Sequence, residues 1–69
     1  MAKLREYLKY LMKHAELERM TDHYYFRYTR PDGRTIKIKC SFGNGEIPAR
    51  VWRGILKQLE ITQEEFNRG

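Results

Sequence analysis

Residues 22–41 read DHYYFRYTRPDGRTIKIKCS, and their pattern decides the fold. The run from His23 to Thr29 is dense in aromatic and β-branched side chains, which suit an extended backbone. A strand is therefore predicted over Asp22 to Arg30. Pro31-Asp32-Gly33-Arg34 follows as a turn, because Pro presets a turn-opening φ and Gly accepts positive φ. From Thr35 to Ser41 the apolar Ile36, Ile38 and Cys40 alternate with Lys37, Lys39 and Ser41. That period of two marks a return strand, and two strands around a short polar turn make an antiparallel hairpin.

Alternation also sorts the side chains into two faces. Tyr24, Phe26 and Tyr28 fall together, as do Ile36, Ile38 and Cys40, and these apolar sets need cover. The opposite face displays His23, Tyr25, Arg27, Lys37 and Lys39. The cover comes from both flanks. Upstream, Leu4, Tyr7, Leu8, Leu11, Met12 and Ala15 recur at the 3.6-residue spacing of an amphipathic helix. Glu16 to Met20 could extend that helix or form a short strand. Downstream, Gly43-Asn44-Gly45 is a loop and Pro48 suits a first helical turn. Val51, Trp52, Ile55, Leu56 and Leu59 then form a second helical stripe. Thr62-Gln63-Glu64-Glu65 has the form of a capping box, so a last short turn of helix starts there, with Phe66 returning to the core. The economical arrangement is α+β: a two-layer sandwich of a small antiparallel sheet with both helices on one face. The other sheet face is left for solvent or a partner.

The 69 residues allow one domain, spanning 1–69, and exclude a Rossmann-type cofactor fold or a large substrate-enclosing enzyme. With 13% aromatic and 41% hydrophobic residues, the chain is too rich in core formers for a disordered tail. No run approaches the roughly 18 apolar residues of a membrane span. Met1-Ala2-Lys3-Leu4-Arg5-Glu6 lacks the apolar stretch of a signal peptide, so a cytoplasmic location is expected. The single Cys40 cannot form an internal disulfide, and no Cys/His cluster has zinc-ligand spacing.

The charge is unevenly spread. Between His23 and Lys57 lie eight basic residues, Arg27, Arg30, Arg34, Lys37, Lys39, Arg50, Arg53 and Lys57, against Asp32 and Glu46. The middle of the chain thus carries +6 of a total of +5, and the flanks together −1. A central basic stretch suits a polyanion, since each phosphate contact releases counterions. On the open face, Lys and Arg would neutralise phosphate, Tyr25 could stack on an unpaired base and His23 could move a proton near neutral pH. A polar solvent-facing surface accounts for the same residues. His14, near a helix C-terminus, reads as structural. Cys40 falls on the apolar side of its strand and reads as a buried, inert thiol. Ser41 has no base in sequence to activate it. Gly43-Asn44-Gly45 lacks the Lys-Ser/Thr of a phosphate loop.

Three stretches carry a family resemblance. They are Asp22-His23 before an aromatic strand, the turn Arg30-Pro31-Asp32-Gly33-Arg34, and Gly45-Glu46-Ile47 leading into Arg53-Gly54-Ile55-Leu56-Lys57-Gln58-Leu59-Glu60-Ile61-Thr62-Gln63-Glu64-Glu65-Phe66. With them the chain resembles the HicA family of bacterial and archaeal toxins over most of its length. Two departures stand out: Thr21 occupies the place of the family's usual Gly, and Pro31 lies farther beyond His23 than in many relatives. The resemblance implies an α-β-β-β-α order with a double-stranded-RNA-binding-domain-like fold, which favours a strand over Glu16 to Met20. It implies the toxin of a type II toxin–antitoxin system, an endoribonuclease (mRNA interferase) that cleaves mRNA and arrests translation. It implies a HicB-type antitoxin as protein partner, and it maps the catalytic histidine onto His23.

On this reading Arg27, Lys37 and Lys39 hold phosphate, Tyr25 positions a base, and Arg50, Arg53 and Lys57 extend the RNA track. No metal, cofactor or membrane is called for, because RNA brings its own nucleophile in the 2′-OH. A non-catalytic RNA-binding module and a partner-dependent protein-interaction domain are the alternatives.

Overall fold

The apolar stripe near the N-terminus folds as α1 (Leu4–His14), in a computed structural model that describes residues 2–43 and 45–69. Its inward face is rotated from the simplest helical stripe. Tyr7, Tyr10 and Leu11 are buried, whereas Met12 is 56% exposed. Tyr10 turns inward because Phe66 meets it, with ring centroids 5.0 Å apart. At the C-cap Ala15 is already extended, and the chain continues directly into a strand.

Three strands form the main sheet: β2 (Glu16–Met20), β3 (Tyr24–Thr29) and β4 (Thr35–Cys40), in the order β2-β3-β4 and all antiparallel. The strand over Glu16 to Met20 is present as expected. The central strand is shorter than the predicted Asp22–Arg30 span, because residues 21–23 form the bend that joins β2 to β3. Ser41 likewise lies beyond the return strand. The β3–β4 ladder pairs Tyr24 with Cys40 through to Thr29 with Thr35 without a break. Its turn is closed by the Gly33 N–H donating to the Arg30 carbonyl at 2.9 Å. Gly33 adopts φ +90°, a conformation that glycine tolerates at no steric cost.

The β2–β3 ladder is irregular. Leu17 pairs with Phe26, but the next pair is Arg19 with Tyr25, so Glu18 is the extra residue of a bulge.

A small second sheet was not expected from the sequence. β1 (Ala2–Lys3) pairs antiparallel with β5 (Glu46–Ile47). Two-residue strands are too short to show a period. What holds this ribbon is tertiary: Ala2 and Ile47 are buried, and the Leu4 N–H donates to the Gly45 carbonyl at 2.8 Å. Asn44, in the expected Gly43–Gly45 loop, lies outside the described residues, as does Met1.

Pro48 precedes α2 (Ala49–Leu59), which buries Trp52 and Leu59 and leaves Val51 largely exposed, so Val51 drops out of the expected stripe. The helix ends at Glu60 in the left-handed conformation. α3 (Gln63–Arg68) begins with the expected capping box. The Thr62 hydroxyl accepts from the Glu65 N–H at 3.1 Å, and the Glu65 carboxylate accepts from the Thr62 N–H at 2.9 Å. Phe66 then packs edge-on against Trp52 at 4.7 Å.

Phe26, Tyr28, Ile38 and Cys40 join the buried residues of α1 and α2 in one cluster. Burying a side chain such as Phe26 contributes roughly 1.5–3 kcal/mol, and Phe26 is wholly inaccessible. The Tyr28 hydroxyl ties the layers together by donating to the Leu59 carbonyl at 3.0 Å. The helices therefore cover one face of the three-stranded sheet. No helix among the described residues is long and apolar enough to cross a membrane.

Candidate nucleic-acid and acid–base site

The uncovered sheet face is built by register. Tyr25 stands opposite Lys39, and Arg27 opposite Lys37, across the β3–β4 ladder. Their side chains share a face because each strand alternates. From the other side, the β2 bulge brings Arg19 opposite Tyr25. The Arg19 guanidinium lies over the Tyr25 ring, 4.4 Å from its centroid, in cation–π geometry. Glu18, Arg19, Tyr25, Lys37 and Lys39 line an open groove of about 490 Å³, floored by Phe26 and Ile38.

The cations of this face differ in availability. Arg27 donates to a Glu16 carboxylate oxygen at 2.8 Å across the β2–β3 pair. Arg19, Lys37 and Lys39 have no carboxylate partner among the described residues. Arg19 carries no signal in the sequence that would select it. Simple alternation along β2, counted from the Leu17–Phe26 pair, would have set Glu18 opposite Tyr25 instead.

His23 sits at the bend between β2 and β3, one residue before the strand. Its ring lies 6.3 Å from Tyr25, edge to face, and 6.5 Å from Phe42, nearly parallel. Phe42 follows β4 and also meets Tyr24 edge-on at 4.7 Å, so aromatic rings wall this end of the sheet. The histidine side chain is 27% exposed, and Nδ1 is its buried nitrogen. Nδ1 lies 3.2 Å from Asp22 Oδ2 but off the angle of a hydrogen bond, so it has no full hydrogen-bond partner.

The bend itself is organised by Asp22. Its Oδ1 accepts from the Tyr25 hydroxyl and from the Thr21 hydroxyl, both at 2.9 Å. The Thr21 N–H donates to the His23 carbonyl at 3.1 Å and closes the turn. Hydrogen bonds from the Tyr25 and then the Thr21 hydroxyl, with the His23 ring nitrogen close by, hold the Asp22 carboxyl well below the usual carboxylate range, opposed by a little desolvation. Thr21 is not among the residues with positive φ, so a side chain is accommodated where the HicA pattern has Gly.

The remaining residues read from the sequence lie elsewhere. Arg50, Arg53 and Lys57 are on α2, in the layer that covers the opposite face, and they do not join the Tyr25 group. Arg53 lines a separate cleft with Trp52, Gln63 and Asn67. His14 is structural in its contacts: it stacks on Tyr10 at 4.2 Å, and its Nε2 lies 3.0 Å from the Gly69 carbonyl oxygen. Cys40 is buried, and burial pushes its thiol pKa up, away from the reactive thiolate. Among the described residues no three His, Cys, Asp or Glu side chains gather as a metal site. No protein-family model, no curated protein and no solved structure matches this chain.

Proposed function

We propose that this chain is a HicA-type endoribonuclease with a double-stranded-RNA-binding-domain-like fold, acting on mRNA through the open sheet face. One observation carries the reading. His23 stands edge to face with Tyr25, and Tyr25 shares an open groove with Arg19, Lys37 and Lys39, three cations without carboxylate partners among the described residues, on a sheet whose other face is covered. Those groups correspond to the needs of phosphodiester cleavage in RNA.

The reaction needs no outside nucleophile. The 2′-OH attacks the adjacent phosphorus as its proton passes to the His23 imidazole. The 2′-O–P bond forms and the bond from phosphorus to the 5′-oxygen breaks. The leaving 5′-oxygen takes up a proton from water and the imidazolium returns its own proton to solvent, leaving a 2′,3′-cyclic phosphate and a 5′-hydroxyl. General acid–base help of this kind contributes about 10²–10⁴-fold. Lys37, Lys39 and Arg19 would oppose the charge that gathers on the phosphoryl oxygens. Tyr25 would present a stacking surface, and Arg27 would join once released from Glu16. The proposed location is the cytoplasm, and the proposed protein partner is a HicB-type antitoxin that covers this face.

The test compares the parent chain with His23→Ala under tight induction, reading growth and mRNA integrity. Arrest with mRNA loss in the parent alone is the expected result. Arrest by both proteins with RNA intact would instead support a non-catalytic RNA-binding module. No effect of either folded protein would remove the toxin reading.

A further inference from the structure

We propose that Asp22 is the positioning residue of this site: it keeps the proton of the neutral His23 ring on Nδ1 and leaves Nε2 to exchange protons with RNA. The proposal rests on the ribonuclease reading of His23.

Three observations lead to it. First, Nδ1 is the buried nitrogen of a partly exposed ring, so substrate cannot reach it, and Nε2 is the nitrogen left for chemistry. Second, Asp22 Oδ2 stands 3.2 Å from Nδ1, within the distance of a hydrogen bond, so that alignment and not reach is what the pair lacks. An ionised carboxylate only accepts, so it favours the tautomer with hydrogen on the facing nitrogen. Third, the carboxylate is itself anchored. Its Oδ1 is occupied by the Thr21 and Tyr25 hydroxyls, and the Tyr25 ring is pinned under Arg19. Oδ2 is thereby left facing the imidazole. The charged and titratable groups around this contact are Asp22 and Tyr25, with Arg19 beyond the tyrosine ring. Phe42 supplies an uncharged aromatic wall beside the ring, and Tyr24, a further phenol, lies behind Phe42.

Asp22→Asn separates orientation from mere support of the bend. The asparagine oxygen can still accept from Tyr25 and Thr21, but its amide would donate toward Nδ1 and so favour hydrogen on Nε2. The primary readout is the ¹⁵N spectrum of the His23 ring at about pH 9, above the ordinary histidine range. The parent protein is expected to show the Nδ1–H form, and Asp22→Asn to shift the population to Nε2–H with its fold intact. A parent ring protonated on Nε2, or a tautomer unchanged in Asp22→Asn, would overturn the proposal.

Cleavage kinetics supply the second readout. Asp22→Asn is expected to lower kcat on the order of 10-fold with KM little changed, less than the 10²-fold cost of a 1 Å misplacement. Parent-like kcat in a protein whose tautomer has switched would also overturn it. If His23→Ala cleaves RNA as fast as the parent, the catalytic role of His23 fails by itself, while the tautomer still decides whether Asp22 governs the ring.

Discussion

The open face makes a quantitative prediction about salt. Arg19, Lys37 and Lys39 lack carboxylate partners among the described residues, whereas Arg27 is bridged to Glu16 at 2.8 Å. Each single-strand phosphate neutralised contributes about −0.7 to the slope of log K against log salt. Three such contacts give a slope of about −2, so raising salt from 50 to 200 mM should weaken binding ~18-fold. Removing one contact, by Lys37→Ala or Lys39→Ala, should reduce that factor to ~7-fold. Arg27→Ala should change the slope less, because a phosphate at Arg27 must compete with the Glu16 carboxylate. The pair is half-exposed and worth under about 1 kcal/mol, so its effect lies in local charge rather than in strength. Glu16→Gln should accordingly tighten binding and steepen the slope. The assay is fluorescence anisotropy of a labelled single-stranded RNA, in the His23→Ala background so that the probe stays intact. Equal slope losses for Arg27→Ala and Lys39→Ala, or weaker binding by Glu16→Gln, would refute this partition of the charges.

Other predictions concern the frame that holds the site. Tyr28→Phe removes the buried hydroxyl that donates to the Leu59 carbonyl and should cost about 1 kcal/mol, lowering Tm by about 4–8 °C. An unchanged Tm would mean that this bond does not tie sheet to α2. Glu60→Gly should raise stability by about 0.5–1 kcal/mol, since Glu60 ends α2 at φ 60°, where glycine carries no Cβ penalty. Denaturant melts that show a loss would contradict it. Burial raises the pKa of the Tyr7 hydroxyl above its ordinary 10.0. A raised pKa stabilises the fold below the unfolded value and the benefit is lost as pH climbs, so stability should fall above about pH 10. Tyr7→Phe should flatten that alkaline decline in chemical denaturation, and an identical pH profile in the variant would refute the assignment.

Much of the architecture is legible along the chain because its signals are local. The Ile36-Lys37-Ile38-Lys39-Cys40 alternation reports burial on one side of a strand, and Ile38 and Cys40 are buried while Lys37 and Lys39 are exposed. The Thr62–Glu65 box needs only one turn of helix to close, and it closes as expected. Met12 and Val51 lie on the helical stripes yet outside the core for the opposite reason. A helical period specifies a stripe, but neighbours decide its edges, and Phe66 draws Tyr10 inward while Met12 and Val51 remain exposed.

The site divides along the same line. Residue type and alternation by themselves bring Tyr25, Arg27, Lys37 and Lys39 to one face, since side chains of adjacent paired strands must share it. They also single out His23. Only the tertiary structure decided what surrounds those residues. The bulge at Glu18 sets a cation rather than an anion against Tyr25. The bend over residues 21–23 turns Nδ1 of His23 toward Asp22, and the return of the chain after β4 stands Phe42 beside the ring. The helix layer separates Arg50, Arg53 and Lys57 from that face. A one-residue slip leaves composition and period untouched yet changes every cross-strand neighbour, because register depends on how distant parts of the chain pack.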